Sequence, residues 1–123
     1  MRLIFLFGIA LSGLLVGAAE RAKLNFSEHI APIVFNNCTT CHRKGEATPF
    51  AFMNYNDVRK RGRLIAKVTE SKFMPPWHAE SADYKFQDER GLTDGQISML
   101  GDWVKNGMPE GDPKKLPMLP KYT

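Results

Sequence analysis

The chain has 123 residues, which suffices for one small domain and is too short for two domains of the usual size. Its 17 Lys and Arg exceed its 13 Asp and Glu by a formal charge of only +4, so the balance gives no indication of a nucleic-acid-binding protein. The only two cysteines are Cys38 and Cys41, which confines any thiol chemistry to one place in the sequence.

The first 19 residues have the layout of a secretory signal peptide. A short positive region at residues 1–2 precedes an apolar run over residues 3–16, and small residues follow at 17–19. We expect cleavage after Ala19, which places the mature protein outside the cytoplasm, in a bacterial periplasm. The alternative is an uncleaved membrane anchor, because residues 3–19 are near the shortest run that spans a bilayer at ~1.5 Å per residue.

The first predicted helix covers residues 26–36. Asn25, with Glu28 three positions later, has the spacing of a capping box, and apolar residues then recur at helical intervals. Pro32 is harmless if the α-helix starts just before it, and otherwise it kinks the helix. His29 lies in this helix, and we expect it to pack or to face solvent rather than to bind a ligand.

Residues 38–42 follow this helix and read Cys-Thr-Thr-Cys-His, the spacing at which a c-type haem is attached. Two thiols three positions apart can form thioether bonds with the two vinyl groups of one porphyrin. His42, directly after the second thiol, can then bind the iron as its proximal ligand. We therefore predict one haem c, held covalently through Cys38 and Cys41.

Three other uses of a C-x-x-C pair fit less well. A thioredoxin-like pair requires a βαβ context, which the sequence does not show. A structural zinc site needs four ligands, and beyond residues 38–42 only His29 and His78 remain, neither at finger-like spacing. A disulfide would close a loop too short to stabilise a fold much.

A loop over residues 43–54 and a second helix come next. Phe50, Phe52 and Met53 make this loop apolar, and we expect it to pack over the haem edge. The helix is predicted to take Asn56 as its N-cap, with an apolar side that includes Leu64. This side consists of Val58, Leu64, Ile65 and Val68.

The same helix carries a basic cluster. Its members are Arg59, Lys60, Arg61, Arg63 and Lys67. We interpret the cluster as a solvated face. A docking patch for an acidic redox partner is the alternative, because complementary charge speeds encounter.

Residues 73–78 read Phe-Met-Pro-Pro-Trp-His and supply the second chemical feature. Met74 is the predicted sixth iron ligand, because a thioether favours reduced iron and the prolines after it stiffen the loop that presents it. His78 ranks second as this ligand, and an open sixth position ranks third. Trp77, and Trp103 in the last helix, are predicted to pack against the porphyrin, with ordinary aromatic core as the alternative.

The last helix is predicted over residues 94–106. Thr93 and Gln96 have capping-box spacing, and Gly107 is the expected helix stop. Prolines recur after this helix and mark residues 112–123 as an extended tail without packing periodicity. No strand is predicted.

The order of these motifs resembles the small bacterial class I c-type cytochromes, especially those with a Met-Pro-Pro-Trp segment. The resemblance covers residues 24–111 and is carried mainly by residues 38–42 and 74–77. It implies an all-α cytochrome c fold over residues 20–111, with three to four helices and long loops around one covalently bound haem. The first and last helices would cross beside the haem. One departure is that the first helix has Phe26 but no glycine for this crossing.

These features predict a periplasmic electron-transfer cytochrome rather than an enzyme. It would carry one electron on a haem ligated by His42 and Met74, between a donor and an acceptor protein, as a monomer or in transient complexes. Membrane association is expected only if the amino-terminal segment stays uncleaved. The leading alternative is a haem-containing subunit of a redox enzyme, or a haem sensor, with an open or exchangeable sixth ligand. A purely structural module is the third reading.

Overall fold

Three helices form the described part of the chain. The computed structural model describes residues 23–76, 87 and 89–122, and the predicted signal peptide, residues 1–19, lies outside these ranges. Helix α1 is Ala31–Asn37, preceded directly by a π-helical turn at Phe26–Ile30; α2 is Tyr55–Glu70; α3 is Asp94–Lys105. A short 3-10 turn, Pro113–Lys115, follows. The described ranges contain no strand, which agrees with the predicted all-α class.

None of the helices within the described ranges is long and apolar enough to span a bilayer.

Asn25 and Glu28, the predicted capping-box pair, interact at the start of the first helical segment, but the Glu28 side chain does not bond to the Asn25 backbone N–H. The Asn25 side-chain oxygen accepts a hydrogen bond from the Glu28 N–H at 2.9 Å, and its amide nitrogen donates to the Glu28 carboxylate at 3.0 Å. The Asn25 backbone N–H donates instead to His29 Nδ1 at 3.3 Å. Pro32 is the second residue of α1, where its missing N–H is tolerated, so α1 begins just before it.

Helix α2 begins earlier than the sequence predicted. Its N-cap is Asn54, whose side-chain oxygen accepts from the Asp57 N–H at 3.0 Å, so the prediction of Asn56 as the cap was wrong. The Asp57 carboxylate in turn accepts from the Asn54 side-chain amide at 2.9 Å and from the Met53 N–H at 3.2 Å. Only a residue three positions before Asp57 allows this reciprocal bonding, which selects Asn54 over Asn56.

Helix α3 confirms its predicted signals. The Thr93 hydroxyl accepts from the Gln96 N–H at 3.2 Å, and the Gln96 side-chain oxygen accepts from the Thr93 N–H at 2.9 Å, which completes the capping box. Gly107 follows the helix with φ of +86°, a conformation that glycine adopts at little cost, and the chain turns away.

The core lies where the π-helical turn meets α3. The Phe26 ring has its centroid 6.1 Å from that of Trp103 and 5.4 Å from that of Tyr55. Trp103 is 1% exposed, and its indole N–H donates to the Pro109 carbonyl at 2.9 Å. A buried tryptophan with its only donor satisfied gains the full benefit of its apolar area. Aliphatic residues complete the core: Ile30, Val34, Val58, Ile65 and Leu100.

The loop after α3 accepts hydrogen bonds from the start of the first helical segment. The Phe26 N–H donates to the Pro109 carbonyl and the Ser27 N–H to the Glu110 carbonyl, both at 2.9 Å. These bonds satisfy two N–H groups that have no partner within their own helix. The first and last helical segments are therefore held together, and this fixes the position of the turn that follows α1.

Candidate functional site

Residues 38–42 form a tight turn at the end of α1. The Cys38 N–H donates to the Val34 carbonyl at 2.8 Å, so the turn continues directly from the helix. The Cys38 carbonyl then accepts from the N–H groups of Cys41 at 3.1 Å and His42 at 2.8 Å. This bonding brings the backbone of all three predicted attachment residues onto one short turn.

The imidazole of His42 is held by two aromatic rings and one carbonyl. Its ring centroid lies 4.6 Å from that of Phe52 and 5.3 Å from that of Phe50, both in stacked geometry. His42 Nδ1 lies 3.0 Å from the Phe50 carbonyl oxygen. A carbonyl can only accept, so this contact assigns the proton to Nδ1 and leaves the lone pair on Nε2. The side chain is therefore prepared to bind a metal through Nε2.

The two thiols are free and sit in different surroundings. Cys38 is half-buried and Cys41 is exposed, and no disulfide joins them. Burial, with a smaller contribution from the neighbouring Cys41, raises the pKa of the Cys38 thiol to about 12. Cys38 is therefore a neutral thiol at physiological pH and not a reactive thiolate.

A cavity of about 450 Å³ opens beside this turn, and its walls are almost wholly apolar. Its size falls in the range that binds small molecules and cofactors. One wall comes from the turn and the loop after it: Asn37, Cys38, Thr40, Cys41, His42, Thr48, Phe50 and Phe52. Another comes from α2 and the segment that follows: Leu64, Ile65, Val68, Thr69, Phe73, Met74, Pro75 and Pro76. Arg90 also lines the cavity.

Met74 reaches the cavity from the loop that ends α2. Its N–H donates to the Val68 carbonyl at 3.0 Å, and Lys72, with φ of +55°, reverses the chain just before it. The Met74–Pro75 peptide bond is cis. The Met74 side chain is half-buried, whereas the neighbouring Phe73 is 61% exposed. The structure thus brings Met74 to the same cavity as Cys38, Cys41 and His42.

The two predicted tryptophans have different outcomes. Trp103 lies in the core against Phe26 and does not line the cavity, so the structure does not bring it to the site. Trp77 lies outside the described residues, and so does His78, the second candidate for the sixth ligand. His29 accepts from Asn25 and does not line the cavity.

The donor set fits a flat apolar cofactor better than a bare metal ion. In residues 23–76, 87 and 89–122, no group of three or more His, Cys, Asp or Glu side chains could hold a metal ion. The same cavity nevertheless offers two thiols, an imidazole with a free Nε2 and a thioether, set in apolar walls. Apolar walls match a porphyrin, and these donors match its attachment and axial ligation.

Several residues of the site were not predicted from the sequence. Leu64 and Val68 were interpreted as the apolar side of a packed helix, but both line the cavity, and Leu64 is 46% exposed. Thr48 donates through its hydroxyl to the Cys41 carbonyl at 2.8 Å. The Arg61 guanidinium lies 4.2 Å from the Phe50 ring centroid. The sequence carried no signal for this, because periodicity reports which side of a helix is apolar and not what that side faces.

No protein-family model, curated protein or solved structure matches this chain.

Proposed function

We propose that this chain is a small electron-transfer cytochrome that holds one haem c covalently in the cavity beside the Cys38–His42 turn. One observation carries the proposal: two thiols, one imidazole and one thioether line a single apolar cavity of about 450 Å³. The sequence motif required only that three of these groups be close in the chain. The fourth, Met74, comes from a separate segment, and its presence at the same cavity is an independent support.

Each residue would have a separate task. Cys38 and Cys41 would hold the haem covalently, each through a thioether bond to one of its vinyl groups. His42 would bind the iron through Nε2, while the Phe50 carbonyl, 3.0 Å from Nδ1, fixes the ring orientation. Met74 would be the second protein ligand of the iron, through its thioether sulfur. The bound haem supplies a one-electron ferric–ferrous couple.

A cytochrome c fold is part of the same proposal. In that fold the first and last helices meet, and here Phe26 packs against Trp103 with 6.1 Å between ring centroids. The absence of a glycine from the first helix is compatible with this contact, because two aromatic faces fill the space between the segments.

The rim of the cavity suits a transient protein partner. Leu64 and Phe73 are exposed apolar residues at the cavity. Exposed cations lie on the same helix as Leu64: Arg59, Lys60, Arg61, Arg63 and Lys67. Exposed apolar residues beside a helix that carries positive charge fit a donor or acceptor protein with an acidic surface, because complementary charge speeds docking. We set this exchange in the periplasm, which the layout of residues 1–19 supports.

Absorbance spectroscopy on the purified mature protein tests the iron ligation. The ferric wild type should show the far-red sulfur-to-iron charge-transfer band, and the ferrous protein should not bind carbon monoxide. Met74→Ala should abolish the band and open the iron to carbon monoxide. Met118→Ala is the matched control, because Met118 is 94% exposed and does not line the cavity.

The outcomes separate the carrier from its main alternative. If the haem-loaded wild type lacks the charge-transfer band, or if Met74→Ala retains it, Met74 is not the iron ligand. Ready binding of carbon monoxide by the wild type contradicts the carrier and favours a haem sensor or a subunit of a redox enzyme with an open sixth position.

A further inference from the structure

The tail that was predicted to be extended, without packing periodicity, is attached at two points to the first helical segment and the turn after it. We call residues 112–122 the tail strap. Lys115 Nζ lies 2.9 Å from the Glu28 carboxylate, and the Tyr122 hydroxyl lies 2.7 Å from Thr39 Oγ1. Between these attachments Met118 is 94% exposed. The tail strap is therefore attached near both of its ends. One of these attachments is to the turn that carries both thiols.

Thr39, the residue to which Tyr122 binds, stands between the two cysteines and is fully buried. Its hydroxyl donates to the Phe35 carbonyl on α1. A hydroxyl has only one proton to donate, so Thr39 Oγ1 must accept from Tyr122. The result is a continuous hydrogen-bond chain from the tail strap through Thr39 to α1, in which each bond strengthens the next.

Arg43 makes a second connection between the tail strap and the turn. Its guanidinium lies 4.4 Å from the centroid of the Tyr122 ring and forms an ion pair with Glu46 at 2.6 Å. The same guanidinium donates to the carbonyls of Thr39 and Thr40. Tyr122 thus contacts the turn in two ways. Its hydroxyl bonds to the Thr39 hydroxyl, and its ring face contacts the Arg43 guanidinium.

We propose that Tyr122 is a positioning residue that fixes the Cys38–His42 turn. Through Thr39 and Arg43 it sets how the two thiols and the His42 imidazole face the cavity. The effect on the turn stands without any ligand, whereas its consequence for a bound haem rests on the proposed function. Tyr122 does not line the cavity, so it acts through these neighbours and not by contact with a ligand.

Backbone hydrogen exchange of the full mature chain tests the proposal. The chain is used as purified, whether or not it carries haem. Tyr122→Phe keeps the ring and removes the bond to Thr39, so the amides of Cys41 and His42 should exchange about five times faster. Tyr55→Phe is the matched control, because the Tyr55 hydroxyl makes a bond of similar length, 2.8 Å, to the Met108 carbonyl. This control should leave the turn amides unchanged.

A second pair of variants keeps the test decisive if Tyr122→Phe disturbs more than one bond. Thr39→Ser retains the hydroxyl and should exchange like the wild type, whereas Thr39→Val should reproduce the effect of Tyr122→Phe. Unchanged turn amides in Tyr122→Phe, or an equal effect of Tyr55→Phe, would overturn the proposal.

The reduction potential adds a readout that a loss of general stability would not produce. A loosened turn admits water beside the iron and favours the charged ferric form, so Tyr122→Phe should lower the potential while Tyr55→Phe leaves it unchanged. If the purified chain holds no haem, the proposed function fails, and hydrogen exchange still decides the role of Tyr122. If it holds haem and the turn amides of Tyr122→Phe exchange like those of the wild type, only the role of Tyr122 fails.

Discussion

The imidazole of His42 is oriented by groups that the motif does not contain. Stacking on Phe52 at 4.6 Å between centroids limits its rotation, and the Phe50 carbonyl at 3.0 Å selects the protonated nitrogen. The sequence indicated His42 from its place after Cys41. It could not indicate the Phe50 carbonyl, because that contact depends on how the loop over residues 43–54 folds back. The motif thus predicts the ligand, and the loop determines its tautomer.

The two thiols should differ in reactivity before any haem is attached. In the folded, haem-free chain an alkylating reagent should modify the exposed Cys41 first. Cys38 has a raised pKa of about 12, so its thiolate is scarce at neutral pH. Its alkylation rate should therefore rise by about tenfold per pH unit until the pH approaches 12, since only the thiolate reacts. Peptide mass mapping over time measures both rates.

The denatured chain provides the control for this difference. Without burial the Cys38 pKa returns toward the ordinary cysteine value of 9.0, so the pH dependence should level off near pH 9. A Cys38 rate in the folded chain that levels off near pH 9 would contradict the buried, neutral thiol.

Helix α2 carries a glycine, Gly62, where it packs against Trp103 of α3 and against Met108 in the loop after α3. A Cβ added at Gly62 would overlap the Met108 sulfur and lie 3.4 Å from the Trp103 ring. In Gly62→Ala the overlap should therefore offset the stability that alanine normally adds inside a helix. We expect this variant to be about 1–2 kcal/mol less stable than the matched Gly101→Ala variant, as measured by urea unfolding.

Gly101 is a suitable reference because it also lies inside a helix and has no atom within 4 Å of an added Cβ. Gly101→Ala should raise the free energy of unfolding by about 0.5–1 kcal/mol through helix propensity alone. Equal stabilities for the two variants would show that α2 and α3 do not pack closely at Gly62.

The sequence predicted helix ends best where the signal is local. The capping box of Thr93 and Gln96 and the stop at Gly107 involve residues close in the chain, and each was confirmed. The start of α2 was not predicted correctly, because Asn54 and Asn56 are both good caps by residue type. Only the side-chain bonds of Asp57 distinguish them, and these depend on the conformation that the loop takes.

At the scale of the whole molecule, the contacts that the sequence missed join distant residues. The tail strap was predicted to be an extended tail, yet Tyr122 bonds to Thr39 and Lys115 to Glu28. Leu64 was predicted to lie on the apolar side of its helix, and in the structure it lines the cavity. Periodicity reports which side of a helix is apolar but not whether that side meets protein or a cavity. The Cys38–His42 motif could be recognised in the sequence because its five residues are consecutive in the chain.

The mass of the denatured mature chain tests the covalent haem most directly. The protein is produced in a bacterial host that exports it and attaches haem, and its intact mass is measured after denaturation. We expect the mass of residues 20–123 plus one haem, and loss of this added mass when Cys38 and Cys41 are both replaced by alanine. A wild-type chain that carries only the mass of its amino acids would contradict the proposed cytochrome.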